Sequence, residues 1–455
     1  MEPGAEQRLE EVALRPLTHT SRGWYLWLGL LLLLTGGGFW AYSTQLQRGL
    51  AATGMRDTVV WGLYISNFVF FSGVSMAGTF VSAILRITGA EWRRPLTRVA
   101  ELTTVSALLM TALMPAVDMG RPDRLLNLLK YGRLESPLIW DILVIPTYLT
   151  ASAIYLYLFL IPDAAVLRDR LKGKASWLRQ RLYSMVAVGW HGRPEQRRRL
   201  EIGGGVMMLL VIPIGVATHS VVSWIFGMTY RAGWNSTIFA PYFAVGALYS
   251  GMAMLITIMI VFRRVYHLEE YFTEKHFRYL SYMLVAFGVI YLYFSIAEYL
   301  TVSYKLEGGE KLLLTELFFG RYSYLVWPGF LLGQILPLLV ALRWARALPI
   351  LFTLTILVNA GMWIKRYIIV VPTLANPLMP YEWGVYTPTW VELAITAASF
   401  GGFALIITLF AKLFPIISVW EMTEGAEIAA AKEEPGSAAA RPATLAAQSG
   451  GHGND

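Results

Sequence analysis

The sequence predicts an all-α polytopic membrane protein of about ten transmembrane helices, folded as two four-helix bundles plus two peripheral helices. Three observations predict it. Of 455 residues, 56% are hydrophobic and 15% charged, too little charge for a water-soluble chain of this length. Apolar runs of about twenty residues or more recur, the length that carries a helix across a bilayer. An internal repeat then relates the runs of one half to those of the other.

The runs lie at roughly 24–44, 58–86, 97–117, 137–162, 202–227, 237–266, 276–303, 322–342, 346–371 and 388–418. The eighth and ninth are nearly continuous, so nine is the alternative count. The first begins near Trp24, too late for a secretory n-region, and reads as a span; no signal peptide is evident. Lys and Arg set the orientation: 26 fall on the side of the N-terminus and 12 on the other, so both termini are expected in the cytoplasm. The net charge of +8 therefore belongs to loops on one face and does not point to nucleic acid. Sixteen Trp and 24 Tyr suit belts at the membrane interfaces.

The resulting division is a cytoplasmic segment 1–23, a first span and outer loop 24–57, a first bundle 58–227, a second bundle 237–371, a last span 388–418, and a cytoplasmic tail 419–455. The tail is rich in Ala, Gly and Pro and reads as disordered. In the basic loop 163–201, Trp177, Leu178, Leu182, Tyr183 and Val186 interleave with Arg179 and Arg181, which predicts an amphipathic helix on an anionic lipid surface.

In the repeat, Tyr64, Ser72, Gly73, Met76 and Arg86 of span two match Tyr242, Ser250, Gly251, Met254 and Arg264 of span six at a constant offset, and Ser136, Leu138 and Trp140 match Ser323, Leu325 and Trp327. Both members of each pair enter from the same side, which makes the repeat parallel. It breaks at one informative place. Trp140 is followed by Asp141, whereas Trp327 is followed by Pro328, and span nine has no counterpart of His219. The first bundle is therefore the expected home of a site.

Ionisable side chains inside spans are costly and tend to mark ion, proton or ligand sites. Asp141 sits about one turn, roughly 6 Å, into span four, after a Ser136-Pro137 start of the kind that opens helices. Its bland reading is a charge that the helix N-terminus stabilises; its functional reading is a proton acceptor. His219 lies about two turns from the outer end of span five, and is otherwise a satisfied packing residue. Trp224 and Phe226 follow it as candidate walls for a flat ring. Asn67, Ser66 and Ser72 fall in span two among small residues spaced for close packing. Glu101, Asp118, Glu298 and Glu392 are candidate proton-pathway groups, and interfacial snorkelling accounts for Lys365 and Arg366. Without cysteine the chain has no thiolate metal site or iron–sulfur ligands. With His219 the only deep histidine, it is not expected to bind haem, and no metal site is expected. Walker, dinucleotide-binding, HExxH and nucleophile-elbow motifs are missing.

Five stretches carry a resemblance: Trp61-Gly62-Leu63-Tyr64-Ile65, the Gly73-to-Gly78 region, Gly120-Arg121-Pro122, Ser136-Pro137-Leu138-Ile139-Trp140-Asp141, and His219-Ser220-Val221-Val222-Ser223-Trp224. At these residues the chain resembles the NrfD, or polysulfide-reductase-type, integral membrane subunits that exchange electrons with quinones. The resemblance covers spans two to nine, and a count of ten is most similar to the quinol-binding subunit of bacterial alternative complex III. It implies a quinol-oxidising subunit of the bacterial cytoplasmic membrane, with menaquinol as the expected class of substrate. Asp141 and His219 would be catalytic, with Asn67, Trp140 and Trp224 also at the quinol. The implied partners are an iron–sulfur subunit on the outer face, a multihaem cytochrome c and a second related membrane subunit. Outer loops 304–321 and 372–387 are the candidate docking surfaces, and proton release or translocation would accompany electron transfer. A proton-coupled transporter, or an anchor subunit with a degenerate site, are the alternatives from other classes.

Overall fold

A computed structural model describes residues 16–17, 20–344, 347–379 and 382–423. All regular structure among them is helical, and ten helices are long and apolar enough to cross a membrane. They are α1 (Arg22–Arg48), α2 (Leu63–Ile87), α3 (Glu91–Asp118), α4 (Pro137–Arg170), α5 (Pro194–Gly227), α6 (Phe239–Tyr266), α7 (Glu274–Lys305), α8 (Ser323–Ala341), α9 (Leu348–Ala375) and α10 (Trp390–Leu413). The eighth and ninth spans are thus separate helices, and the chain is a multi-pass integral membrane protein.

Helices α2–α5 pack together, as do α6–α9, while α1 pairs with α10, and α10 leans on α2 and α3. The two bundles meet where α2 packs on α6. Every residue from Leu63 to Gly78 is buried, so this part of α2 is surrounded by protein and has no lipid face. Close approach at the seam depends on the small residues of the repeat. A methyl group on Gly251 would lie 2.9 Å from the Ala77 nitrogen, and one on Gly73 would lie 3.1 Å from the Ser250 hydroxyl. The repeat-related glycines thus each face the opposite helix, as small-residue helix packing in lipid favours. By contrast α1 turns Leu26, Leu33 and Phe39 outward, a surface suited to acyl chains.

Charge gathers at one end of the first bundle, the end that holds the basic loop 163–201. Arg98 and Asp163 form a fully buried ion pair of 2.9 Å. Glu421 lies 3.7 Å from Arg86 and 3.6 Å from Arg93, and its carbonyl accepts from Arg94. The backbone N–H of Trp420 donates to Asp163. Residues 419–423, expected at the head of a disordered tail, are instead placed against these arginines, to which they bring a carboxylate and backbone groups. The rest of that tail, and most of segment 1–23, lie outside the described residues. The expected amphipathic helix is present as Trp177–Ala187. Tyr183 and Ala187 pack inward, with Tyr183 donating to the Leu413 carbonyl at 3.0 Å, while Trp177 and Leu178 are exposed.

Candidate functional site

The helix carrying Asp141 begins at Pro137, as its sequence predicts, with Ser136 in the extended conformation of an N-cap. The Ser136 side chain makes no capping hydrogen bond, so backbone geometry and Pro137 define the start. The buried face of α4 then runs Asp141, Ile145, Tyr148, Ser152, Tyr155, a spacing of three to four residues that keeps them in line. Asp141 is 7% exposed, and its Oδ1 has no hydrogen-bond partner among the described residues.

His219 reaches the same face from α5. Its ring lies edge-to-face against Tyr148, 6.4 Å between centroids. The Tyr148 hydroxyl bonds to that of Thr79 and donates to the Ser75 carbonyl at 3.2 Å. The imidazole Nδ1 is 2.7 Å from the Gly215 carbonyl, and Nε2 is 2.9 Å from the Ser72 carbonyl of α2. A neutral ring has one N–H, so it can donate to only one of these acceptors at a time. Both carbonyls sit inside helices, where each also takes an N–H from four residues on. Either contact to His219 is therefore exchangeable without orphaning the backbone.

Asp141 and Tyr148 are seven residues apart, about 10.5 Å along the axis. A quinol ring with one hydrogen bond at each oxygen spans about 11 Å. The acid and the imidazole do not touch; they stand at two heights on one buried seam, with Ile145 and Tyr148 between. At its outer edge Trp140 and Trp224 meet edge-to-face at 6.3 Å. Trp140 donates to the Leu134 carbonyl, and Trp224 is partly exposed toward lipid.

Other expected site residues lie elsewhere. The Asn67 amide donates to Thr396 at 3.0 Å and accepts from Trp363 at 2.8 Å, so Asn67 faces α9 and α10, away from His219. Phe226 turns into the aromatic cluster of Trp61, Trp234 and Phe243 and does not wall the first-bundle seam. Glu392 is fully buried and accepts from Gly54 N at 2.6 Å, Thr389 N at 3.0 Å and the Tyr386 hydroxyl at 2.6 Å. It completes the capping box of α10, and that work occupies its oxygens. Asp118 ends α3 beside Val117, whose carbonyl takes the Gln45 amide; its Oδ1 is without a partner among the described residues. Glu101 is 3% exposed and sits one turn from Arg98, with neither carboxylate oxygen hydrogen-bonded among the described residues.

Glu298 belongs to the second bundle. Ser236 donates to it at 2.7 Å, and it lines a cavity of about 40 Å³ with Lys365, Tyr242 and Tyr299. Lys365 does not snorkel: it donates to the Tyr299 hydroxyl at 2.6 Å. Arg366 is 2% exposed, which also overturns the interfacial reading. The sequence placed the end of that span at 371, whereas α9 continues to Ala375, which carries both residues deeper. In the Gly120-Arg121-Pro122 turn, the Arg121 guanidinium beside Asp123 holds that carboxyl below its usual range, the two paired in the open at 2.8 Å.

Sequence reasoning missed Tyr148 and the Ser72 carbonyl. The first had a signal, because it lies seven residues beyond Asp141 and so on one helix face. The second had none, since every residue has a carbonyl.

A bundle of ten candidate membrane spans, with an acid and an imidazole brought to one buried face, defines a polytopic helical membrane protein. Residues 51–377 match the family described as Polysulphide reductase, NrfD, and the chain belongs to that family. It is 31% identical over 422 residues to a putative dimethyl sulfoxide reductase membrane subunit of Halobacterium salinarum, covering 86% of this chain and 91% of the relative. It is 24% identical to the integral membrane subunit of a menaquinone reductase of Nitratidesulfovibrio vulgaris, covering 86% and 91%. It is 22% identical to a selenate reductase subunit of Mesobacillus selenatarsenatis, covering 82% and 90%.

Proposed function

We propose that this chain is the quinol-binding, quinol-oxidising membrane subunit of a multi-subunit oxidoreductase. A quinol headgroup enters the first bundle from lipid past Trp140 and Trp224. One ring oxygen bonds to His219, which releases the Ser72 carbonyl to do so, and the other bonds to Asp141. Oxidation removes two electrons and two protons. The two side chains act as general bases for the protons, and the electrons pass to an iron–sulfur partner docked on the outer face. The names of the relatives, one a menaquinone reductase subunit, support menaquinol as the quinol class and membership of a reductase-type complex. Alternative complex III, with its multihaem cytochrome c and second membrane subunit, is the narrower assignment. Protons leave on the outer side, and Glu101, Asp118 and Glu298 are the acids available for a longer route.

The observation that carries this reading is the shared buried face of Asp141 and His219, present in the first bundle and lacking at the repeat-equivalent Pro328. His219→Ala and Asp141→Asn, each in the assembled complex, are expected to lose menaquinol-dependent electron transfer while the complex still assembles. Full activity in both variants would reject the assignment.

A further inference from the structure

Arg366 is the least explained charge among the described residues. It lies within α9, 2% exposed, its guanidinium 4.8 Å over the Phe243 ring. No hydrogen bond or ion pair joins it to an acid among the described residues, and its Nη1 has no partner there. Lacking a side chain, Gly246 gives it room: a methyl group there would come 2.9 Å from its Nη2 and 2.8 Å from the Tyr291 ring. The same Nη2 lies 3.8 Å from where a methyl on Gly73 would stand. The acid of the second bundle, Glu298, is held by Ser236 and faces Lys365. An arginine buried in a membrane without a counter-ion is costly and is usually paired.

Its position supplies a reason. His219 approaches α2 at the Ser72 carbonyl, and Arg366 approaches the same turn at Gly73. The imidazole and the guanidinium therefore both approach one turn of α2. The Ser72 hydroxyl in that turn is also buried without a partner among the described residues.

Building on the function proposed above, we infer that Arg366 is a positioning residue of the quinol site: its guanidinium, at the same Ser72–Gly73 turn that His219 approaches, is the fixed positive charge that stabilises the headgroup as an anion. The step it assists is proton transfer from quinol to His219. An O–H bond breaks, an N–H bond forms, and the quinol monoanion remains with its electron count unchanged. Two electrons then leave for the partner's iron–sulfur centre and the second proton passes to Asp141.

Two probes of similar size separate charge from fit in the assembled complex: menadione, which is neutral, and 2-hydroxy-1,4-naphthoquinone, which is an anion at neutral pH. A unit charge on the order of 10 Å away in a protein interior changes anion affinity about tenfold or more. Arg366→Gln is expected to weaken the hydroxynaphthoquinone by about that factor and leave menadione within about twofold, while Arg366→Lys keeps both affinities. Equal weakening of both probes, or of neither, in Arg366→Gln overturns the inference. If that variant does not assemble, Arg366→Lys decides, and equal loss of both probes there overturns it too. Menadione binding that depends on His219, together with unchanged selectivity in Arg366→Gln, leaves the proposed function standing and removes this inference alone. Failure of wild type to bind either probe removes both.

Discussion

Gly251→Ala tests whether the seam between the bundles is set by small-residue contact. The added methyl would stand 2.9 Å from the Ala77 nitrogen, 3.1 Å from the Val74 carbonyl oxygen and 3.3 Å from the Ala77 Cβ. Two of those three atoms are helix backbone and cannot rotate away, so α2 and α6 must separate. Overpacking of this kind costs about 1–3 kcal/mol. The gain in helix propensity from Gly to Ala, about 1 kcal/mol, offsets only part of it. Gly37→Ala is the matched control, because nothing lies within 4 Å of a methyl placed there; it is expected to be neutral or mildly stabilising. Denaturant unfolding in mixed micelles measures both. The displacement of α2 also moves the Ser72 carbonyl, so quinol oxidation is expected to fall in Gly251→Ala and not in Gly37→Ala. Equal stability of the two variants would refute the packing argument.

Removing one partner of the buried Arg98–Asp163 pair leaves the Arg98 guanidinium with the Phe159 carbonyl but without this counter-ion, and frees Trp420 N; Asp163→Ala is expected to cost about 3–5 kcal/mol, read by the same unfolding measurement, and to make the chain near residue 420 accessible to protease. Burial and the nearby Glu392 push the Tyr386 hydroxyl well above its ordinary range, so it stays a donor to Glu392 and an acceptor from Leu63 N at 3.0 Å. Tyr386→Phe is expected to cost about 1–3 kcal/mol for the two contacts, and because the phenol stays protonated in the folded state, that loss is expected to be constant from about pH 6 to about pH 9; a strong pH dependence of the loss would contradict the assignment.

How much of the candidate site was legible varied with the kind of signal. Asp141 was legible because it breaks an apolar run just after a helix start, and because its repeat partner is Pro328. Asn67 was misplaced for a physical reason. Helix α2 is buried on all sides, so no polar face marks which way a given side chain points. Glu392 reads in sequence as an intramembrane acid, yet its oxygens cap α10 and hold Gly54, far off in the chain.

The sequence by itself determined the number of spans, their two-bundle grouping and the bundle that carries the asymmetric acid and imidazole. Those follow from apolar length and residue identity, which are local. Only the tertiary structure decided that His219 rests on a backbone carbonyl of α2, that Arg366 lies buried at the same turn, and that residues 419–423 close over the arginines at one end of the first bundle. These depend on which faces of separate helices meet, and a helix surrounded by protein carries no periodic mark of its neighbours.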